Sequence, residues 1–129
     1  MDDVSLLKQR VNELNKTRTD LINKVLMTKP FIAAQVYQRY KKCGNPNCRC
    51  ARGELHGPYT WIYQKKKGQK VVSTTVVKGK TIEAEEMAKR YERLLGNRER
   101  IRKIDQEIND VMNLIETYYE REVTDYVKR

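Results

Sequence analysis

Long apolar runs are missing from this sequence, and its overall content of hydrophobic residues is low. They make up 39% of the 129 residues, with a single Phe and a single Trp. No stretch approaches the roughly 20 consecutive apolar residues that a helix needs to cross a bilayer, which excludes a membrane-spanning helix. Such a composition is thin for one large core and favours long helices, a small metal-stapled unit, or both.

Histidine and cysteine are also scarce, and both are confined to one segment. The only histidine and all three cysteines lie between Cys43 and His56. An odd number of cysteines cannot be fully paired in disulfides. The acidic start, Met1-Asp2-Asp3, is not followed by the apolar run of a signal peptide. We therefore expect reduced thiols and a cytoplasmic protein.

This segment carries a complete set of zinc ligands. Three thiolates and one imidazole suit a tetrahedral zinc ion, and the spacers hold residues that let a short backbone fold back on itself. The predicted ligands are Cys43, Cys48, Cys50 and His56, and the spacer residues are Gly44, Asn45, Pro46 and Gly53.

Other chemistries use similar residues. An iron–sulfur centre or another soft-metal site is one alternative, and a catalytic thiol beside a histidine is a second. A zinc enzyme is not expected, because four protein ligands leave no position open for water. The chain also has no second histidine for acid–base work.

The same stretch resembles a known family. Its sequence from Cys43 to Trp61 reads C-G-N-P-N-C-R-C-A-R-G-E-L-H-G-P-Y-T-W. It is similar to small bacterial and archaeal proteins that carry a C-G-x-P-x-C-x-C-x-x-G-x-x-H-G-P-Y signature. That family is catalogued as a domain of unknown function. The resemblance implies that the three cysteines and the histidine act together, and it implies no activity.

Positive charge is concentrated in the middle of the chain. Residues 29–81 contain twelve Lys and Arg against one acid, Glu54, whereas residues 1–28 carry a net +1 and residues 82–129 a net −2. The middle segment thus supplies all of the formal charge of +10. Near-neutral ends around a basic centre favour a scaffold that presents a surface to a polyanion.

Helical periodicities flank the basic segment on both sides. Apolar residues from Val4 to Val25 recur at spacings of three and four, interrupted by Arg18, and predict a helix that Pro30 ends. A second helix begins with Thr81 as its cap, and its apolar seam from Ile101 to Tyr118 has the same spacing. We predict that the two helices form an antiparallel coiled-coil stalk. The expected divisions of the chain are 1–29, 30–80 and 81–129.

Three short runs of β-type sequence lie between the helices. Val36–Lys41, Tyr59–Tyr63 and Lys70–Val77 are alternating or β-branched, and loops separate them. We predict a three-stranded antiparallel sheet whose first two strands are joined by the zinc-binding segment. The predicted fold class is therefore α+β, with the helical stalk around a small zinc-stapled β-unit.

The lengths of the two helices predict a dimer. If about 25 residues of the first helix pair with the second helix from its start, they cover it only to about residue 106 and leave Ile108–Tyr118 bare. A bare apolar seam is most simply buried against a second copy, so a homodimer through the C-terminal helix is expected. The alternative is a turn at Gly96-Asn97 that folds residues 98–120 back into a three-helix bundle.

The predicted function is binding of DNA or RNA by the β-unit, because Lys and Arg meet phosphates and a β-ribbon fits a B-DNA major groove. Three aromatic residues on one face can stack bases, or can equally form the packed side of the sheet. The alternative is a protein-interaction adaptor in which the zinc unit is purely structural. The candidate phosphate contacts are Arg39, Lys41, Lys42, Arg49, Arg52, Lys65, Lys66, Lys67 and Lys70, and the candidate stacking residues are Tyr59, Trp61 and Tyr63.

Overall fold

The computed structural model describes residues 3–65 and 71–128. Within these ranges there are two α-helices, α1 (Asp3–Leu26) and α2 (Thr81–Tyr119), and three strands, β1 (Gln35–Lys41), β2 (His56–Lys65) and β3 (Val71–Thr75). Single turns of 3-10 helix lie at Arg49–Arg52 and Val123–Tyr126. No helix in the described ranges is long and apolar enough to cross a membrane. The predicted α+β class is confirmed.

The chain divides into two compact units. The helical unit comprises Met1–Thr28 and Leu94–Arg129, and the sheet unit comprises Lys29–Arg93. The division falls inside α2, so the first turns of this helix belong to the sheet unit and the rest belongs to the helical unit.

In the helical unit, α1 runs antiparallel to the later turns of α2. Lys8 near the start of α1 donates a hydrogen bond to the Tyr119 hydroxyl at the end of α2 (2.8 Å), and Arg10 pairs with Glu107 (2.7 Å). The predicted stripes supply the side chains that this unit buries among its described residues, because apolar residues three and four apart share one helix face. These side chains are Val4, Leu14, Leu21 and Val111.

Arg18 interrupts the apolar stripe of α1 without opening it to water. Its guanidinium pairs with the Asp105 carboxylate on α2. Its alkyl stem can cover the stripe while the charged group stays at the surface, where both partners are partly exposed. A surface pair of this kind contributes about 0–1 kcal/mol, so Arg18 is tolerated in the stripe and adds little stability.

The predicted register of the helix pair is wrong. The contacts of Lys8 with Tyr119 and of Arg10 with Glu107 place α1 beside the end of α2, so the seam from Ile108 to Tyr118 is not left bare. Val111 in this seam is buried. The pairing starts late because the first turns of α2 belong to the sheet unit. The homodimer stays a prediction, but it loses the bare seam as its reason.

The alternative turn at Gly96-Asn97 is also wrong. Both residues lie inside α2, which continues to Tyr119. A glycine inside a helix costs only about 1 kcal/mol relative to alanine, which is too little to end a helix of 39 residues. The three-helix bundle that would need this turn is therefore excluded.

The sheet unit contains an antiparallel sheet with the strand order β1-β2-β3. Val36 is opposite Ile62, and Ile62 is opposite Thr74. On the other face, Tyr37 is opposite Trp61, and Trp61 is opposite Thr75. The predicted three-stranded sheet, with the cysteine-rich segment joining its first two strands, is confirmed.

The first turns of α2 pack against one face of this sheet. Gln38 on β1 donates a hydrogen bond to the Glu85 carboxylate (3.0 Å). Tyr91 further along the helix stacks on Phe31, with ring centroids 5.4 Å apart. Because opposite residues of an antiparallel pair share a face, the helix side of the sheet is the side of Val36, Gln38 and Ile62. Tyr37, Arg39, Tyr59, Trp61 and Tyr63 occupy the opposite side, called the outer face below.

Candidate metal centre and basic sheet face

A chain of tight turns brings the cysteines together. Cys43 follows β1, and the next turn is built by Asn45, whose backbone carbonyl accepts a hydrogen bond from the Cys48 N–H (3.1 Å). The Asn45 side chain accepts a second bond, from the Asn47 N–H (2.9 Å). Such a side-chain-to-backbone bond is typical of Asn in turns. The 3-10 turn Arg49–Arg52 carries Cys50 and ends at Gly53, whose φ of 109° favours glycine.

A close approach of β1 and β2 at Gly57 positions the neighbouring His56. His56 begins β2 and is opposite Lys41, next to a register shift between Arg39 and Lys41. Gly57 follows with a φ of 134°, and a Cβ atom there would lie 2.9 Å from the Arg39 carbonyl oxygen. Only glycine permits this backbone conformation and this close approach of the two strands. The approach brings His56 beside the segment that follows β1.

The four predicted ligand atoms converge on one point. The thiol sulfurs of Cys43, Cys48 and Cys50 and a ring nitrogen of His56 all lie within 4.8 Å of one another. Cys43 Sγ is 3.5 Å from Cys50 Sγ, and Cys48 Sγ is 3.1 Å from His56 Nε2. Ligands at about 2.3 Å around a tetrahedral ion would be about 3.7 Å apart. The cluster is therefore of a size that can hold one metal ion.

The cluster is half enclosed. Cys50 is 1% exposed, whereas Cys43 lies at the surface. All three cysteines are free thiols, as the sequence predicts. Four protein ligand atoms that converge on one point, one of them on a buried side chain, are the arrangement expected of a closed structural metal site.

Hydrogen bonds within the cluster shift the pKa values of Cys43, Cys48 and His56. Bonding to the Asn45 backbone, and then to Cys50, His56 and Cys48, lowers the pKa of Cys43 to about 6. The Cys50 backbone N–H lowers the pKa of Cys48 in the same way. Bonds to Cys43 and Cys48 raise the pKa of His56. Thiolate is the form that binds metals, so these hydrogen bonds shift Cys43 and Cys48 toward the form that binds a metal.

Cys50 behaves differently from the other two thiols. The Cys43 backbone N–H donates to its sulfur (3.4 Å), which by itself lowers the pKa. Burial and the neighbouring Cys43 and Cys48 sulfurs act in the opposite sense and prevail, so the pKa of Cys50 is raised. A positive ion at the centre would offset the repulsion between adjacent thiolates.

The candidate phosphate-contacting residues fall into three groups. Arg39 and Lys41 lie over the outer face, and Lys42, Arg49 and Arg52 are exposed around the cysteine cluster. Lys65 ends β2, and the structure describes its backbone only. The predicted contacts at Lys66, Lys67 and Lys70 lie outside the described residues.

The outer face combines cations with aromatic rings. The Arg39 guanidinium lies 5.4 Å from the centroid of the Trp61 ring, and the Lys41 ammonium lies 5.1 Å from that of Tyr59 and 5.8 Å from that of Trp61. Tyr59 and Tyr63 are 39% and 37% exposed. The sequence left open whether Tyr59, Trp61 and Tyr63 stack bases or form the packed side of the sheet. In the structure they lie on the face away from α2, so they do not form its packed side.

Some features of the two sites are not evident from the sequence. Tyr37 shares the outer face and exchanges a hydrogen bond with the Ser73 hydroxyl (2.9 Å). The alternation of Tyr37 with Arg39 along β1 was the available signal, since period two puts both on one face. The indole Nε1 of Trp61 is buried and has no hydrogen-bond partner among the described residues. No sequence pattern signals such an unpaired group.

Comparison with known proteins gives one match. The family described as "Domain of unknown function (DUF6788)" matches residues 6–89, which is 84 of the 129 residues. The matched range covers most of α1, the whole sheet with the cysteine cluster, and the first turns of α2. No curated protein and no solved structure matches the chain.

Proposed function

The chain belongs to this family of unknown function, and we propose that it is a zinc-containing protein that binds nucleic acid through the outer face of its sheet. The observation that carries the proposal is the position of Arg39 and Lys41 over Tyr59 and Trp61, on the side of the sheet away from α2. Cations meet phosphates and aromatic rings meet bases, so this combination suits a polyanion that carries bases.

Zinc is proposed on the chemistry of the donor set. Three thiolates and one imidazole are soft and borderline ligands, which favour zinc over hard cations such as Mg²⁺ or Ca²⁺. Four protein ligands suit a structural ion and not a catalytic one. The ion would tie the segment after β1 to the start of β2 and so hold the two strands that carry Arg39, Lys41, Tyr59 and Trp61.

Positive charge outside the outer face also supports the proposal. Lys42, Arg49 and Arg52 are exposed beside the cluster, and the segment 29–81 holds the entire positive excess of the chain. A concentrated basic surface accelerates encounter with a polyanion and contributes sequence-independent affinity.

A homodimer is proposed on a separate observation. Apolar and aromatic side chains of the later turns of α2 stay about half exposed beside α1. Burying such side chains against a second copy of the chain is more favourable than leaving them exposed to water. They include Met112, Leu114, Tyr118 and Tyr119. Sedimentation equilibrium of the full chain, with Leu114→Glu as the variant, tests this: the wild type is expected to be a dimer and the variant a monomer.

The nucleic-acid proposal is tested by fluorescence anisotropy with labelled duplex DNA, single-stranded DNA and a structured RNA, each at two salt concentrations. Affinity for at least one of them is expected to fall steeply with salt. The double variant Arg39→Gln/Lys41→Gln should bind more weakly, with a salt slope reduced by about two. The double variant Lys16→Gln/Lys24→Gln removes the same charge from exposed positions of α1 and should bind like the wild type.

The opposite results would remove the proposal. If none of the three nucleic acids binds at low salt, or if both double variants lose the same affinity, the outer face is not a nucleic-acid site. The protein-interaction adaptor would then be the better account, with the zinc unit as a structural part.

A further inference from the structure

We infer that the ligand of the outer face is single-stranded nucleic acid, whose unpaired bases stack on Tyr59, Trp61 and Tyr63; this rests on the proposed function. In a duplex the flat surfaces of the bases are covered by neighbouring base pairs, and a protein reaches only their edges and the phosphates. An aromatic ring that faces a nucleic acid is therefore useful mainly where bases are unpaired.

The position of the rings within the sheet favours this ligand. The rings come from alternate residues of β2, so all of them project from one face. β2 is the central strand, which puts the rings along the middle of the face and not at a rim. Side chains that contact a duplex groove or its phosphates need no such row of rings, whereas a stacking platform does.

Among the side chains that the structure describes on the outer face, the charges lie on one side of the row of rings. Arg39 and Lys41 come from β1, the strand on one edge. On the other edge, β3 presents Ser73 and Thr75, which are neutral. A single strand has its phosphates on one side of its bases, and this arrangement meets it with cations along β1 and rings along β2.

Two cations lie close to the Trp61 ring, where a base of the ligand would stack. In the structure Arg39 and Lys41 both lie within 6 Å of its ring, and its indole N–H is buried without a partner among the described residues. A base that stacks on the ring would displace the two cations toward the adjacent phosphates.

The chain carries its own reporter for this event, because Trp61 is the only tryptophan. The full-length, zinc-loaded protein is titrated with three probes: the DNA oligonucleotide dT12, the RNA oligonucleotide rU12, and a mixed-sequence 12-base-pair DNA duplex. At least one single strand is expected to bind ten-fold or more tightly than the duplex and to quench Trp61 fluorescence. The difference between dT12 and rU12 tells whether the sugar contributes.

Two tyrosine variants make the test specific. Tyr59→Leu keeps an apolar side chain but removes a ring, and should weaken single-strand binding about ten-fold while duplex binding is unchanged. Tyr126→Leu removes an exposed tyrosine from the C-terminal 3-10 turn and should change neither. Zinc content and the far-UV spectrum are measured for both variants, so that a loss of fold is not mistaken for a loss of stacking.

The possible failures are distinguishable. Duplex binding equal to or tighter than single-strand binding, with Trp61 fluorescence unchanged and Tyr59→Leu without effect, overturns the inference and leaves the proposed function standing. Absence of binding to all three probes overturns both.

Discussion

The two units of this protein are stabilised in different ways. The helical unit buries Val4, Leu14, Leu21 and Val111, whereas among the described residues of the sheet unit only Cys50, Ala84 and Ala88 reach the same burial. A cysteine and two alanines contribute little apolar area. Small units with so thin a core are usually stapled by a metal or disulfides. The helical unit therefore has an apolar seam to stabilise it, and we propose that metal binding by the cysteine cluster stabilises the sheet unit.

The largest effect is expected from breaking the cluster. Cys50→Ser should unfold the sheet over residues 36–63 while α1 keeps its helical hydrogen bonds, because a structural zinc site contributes about 10–16 kcal/mol to folding in zinc-finger peptides. Hydrogen exchange resolved by peptide measures both units at once. Ala51→Ser, which places the same new side chain one residue further on, is the matched control and should change neither unit. A Cys50→Ser protein with unchanged zinc content and far-UV spectrum would contradict the account.

A smaller effect, in the other unit, is expected from Leu21→Ala. Leu21 is 2% exposed, and truncating a buried leucine costs about 2–5 kcal/mol. Denaturant unfolding followed by helical ellipticity should show this loss, and zinc content should stay the same. Leu6→Ala serves as the control, because Leu6 is 50% exposed. Equal losses in the two variants would mean that Leu21 does not lie in the stabilising seam.

The approach of β1 and β2 at Gly57 predicts an intermediate effect. Gly57→Ala adds a Cβ atom against the Arg39 carbonyl and forces a disfavoured φ, and we expect a cost of about 2 kcal/mol confined to the sheet unit. Gly44→Ala has a positive φ of 84° but open space around the new atom, so its cost should be smaller. Thermal unfolding of the two zinc-loaded variants compares them directly. Equal melting temperatures would mean that the contact with the Arg39 carbonyl does not affect stability.

The smallest effect is a gain in the helical unit. Gly96 lies inside α2 with open space around it, so Gly96→Ala should stabilise the protein by about 1 kcal/mol. Thermal unfolding followed at 222 nm measures this change. If the chain turned at this residue, the same substitution would destabilise it, and that outcome would restore the three-helix bundle.

Local patterns in the sequence were sufficient to predict the helices and strands and the convergence of the three cysteines and the histidine. The spacing of apolar residues predicted α1, and Pro30 placed its end close to the observed end at Leu26. Alternation predicted the strands. The cysteines and the histidine were predicted as one cluster because only they combine the required ligand chemistry with short spacing.

Long-range geometry could not be predicted in the same way. The alternation of residues along β2 predicts that Tyr59 and Trp61 share a face of the sheet. Val36 and Ile62 form an equally suitable apolar face on the other side. The sequence therefore did not determine which face packs against α2. The register of the helix pair depends on how many turns of α2 the sheet unit takes up. The continuation of α2 through Gly96 could not be predicted, because a single glycine costs a helix only about 1 kcal/mol and does not by itself mark the end of a helix.

Native mass spectrometry of the protein purified without added metal tests the central claim most directly. The account predicts a chain of 15.3 kDa that carries one zinc ion, and Cys50→Ser that carries none. A wild-type mass without any bound metal, or with an ion that the Cys50→Ser variant retains, would contradict it.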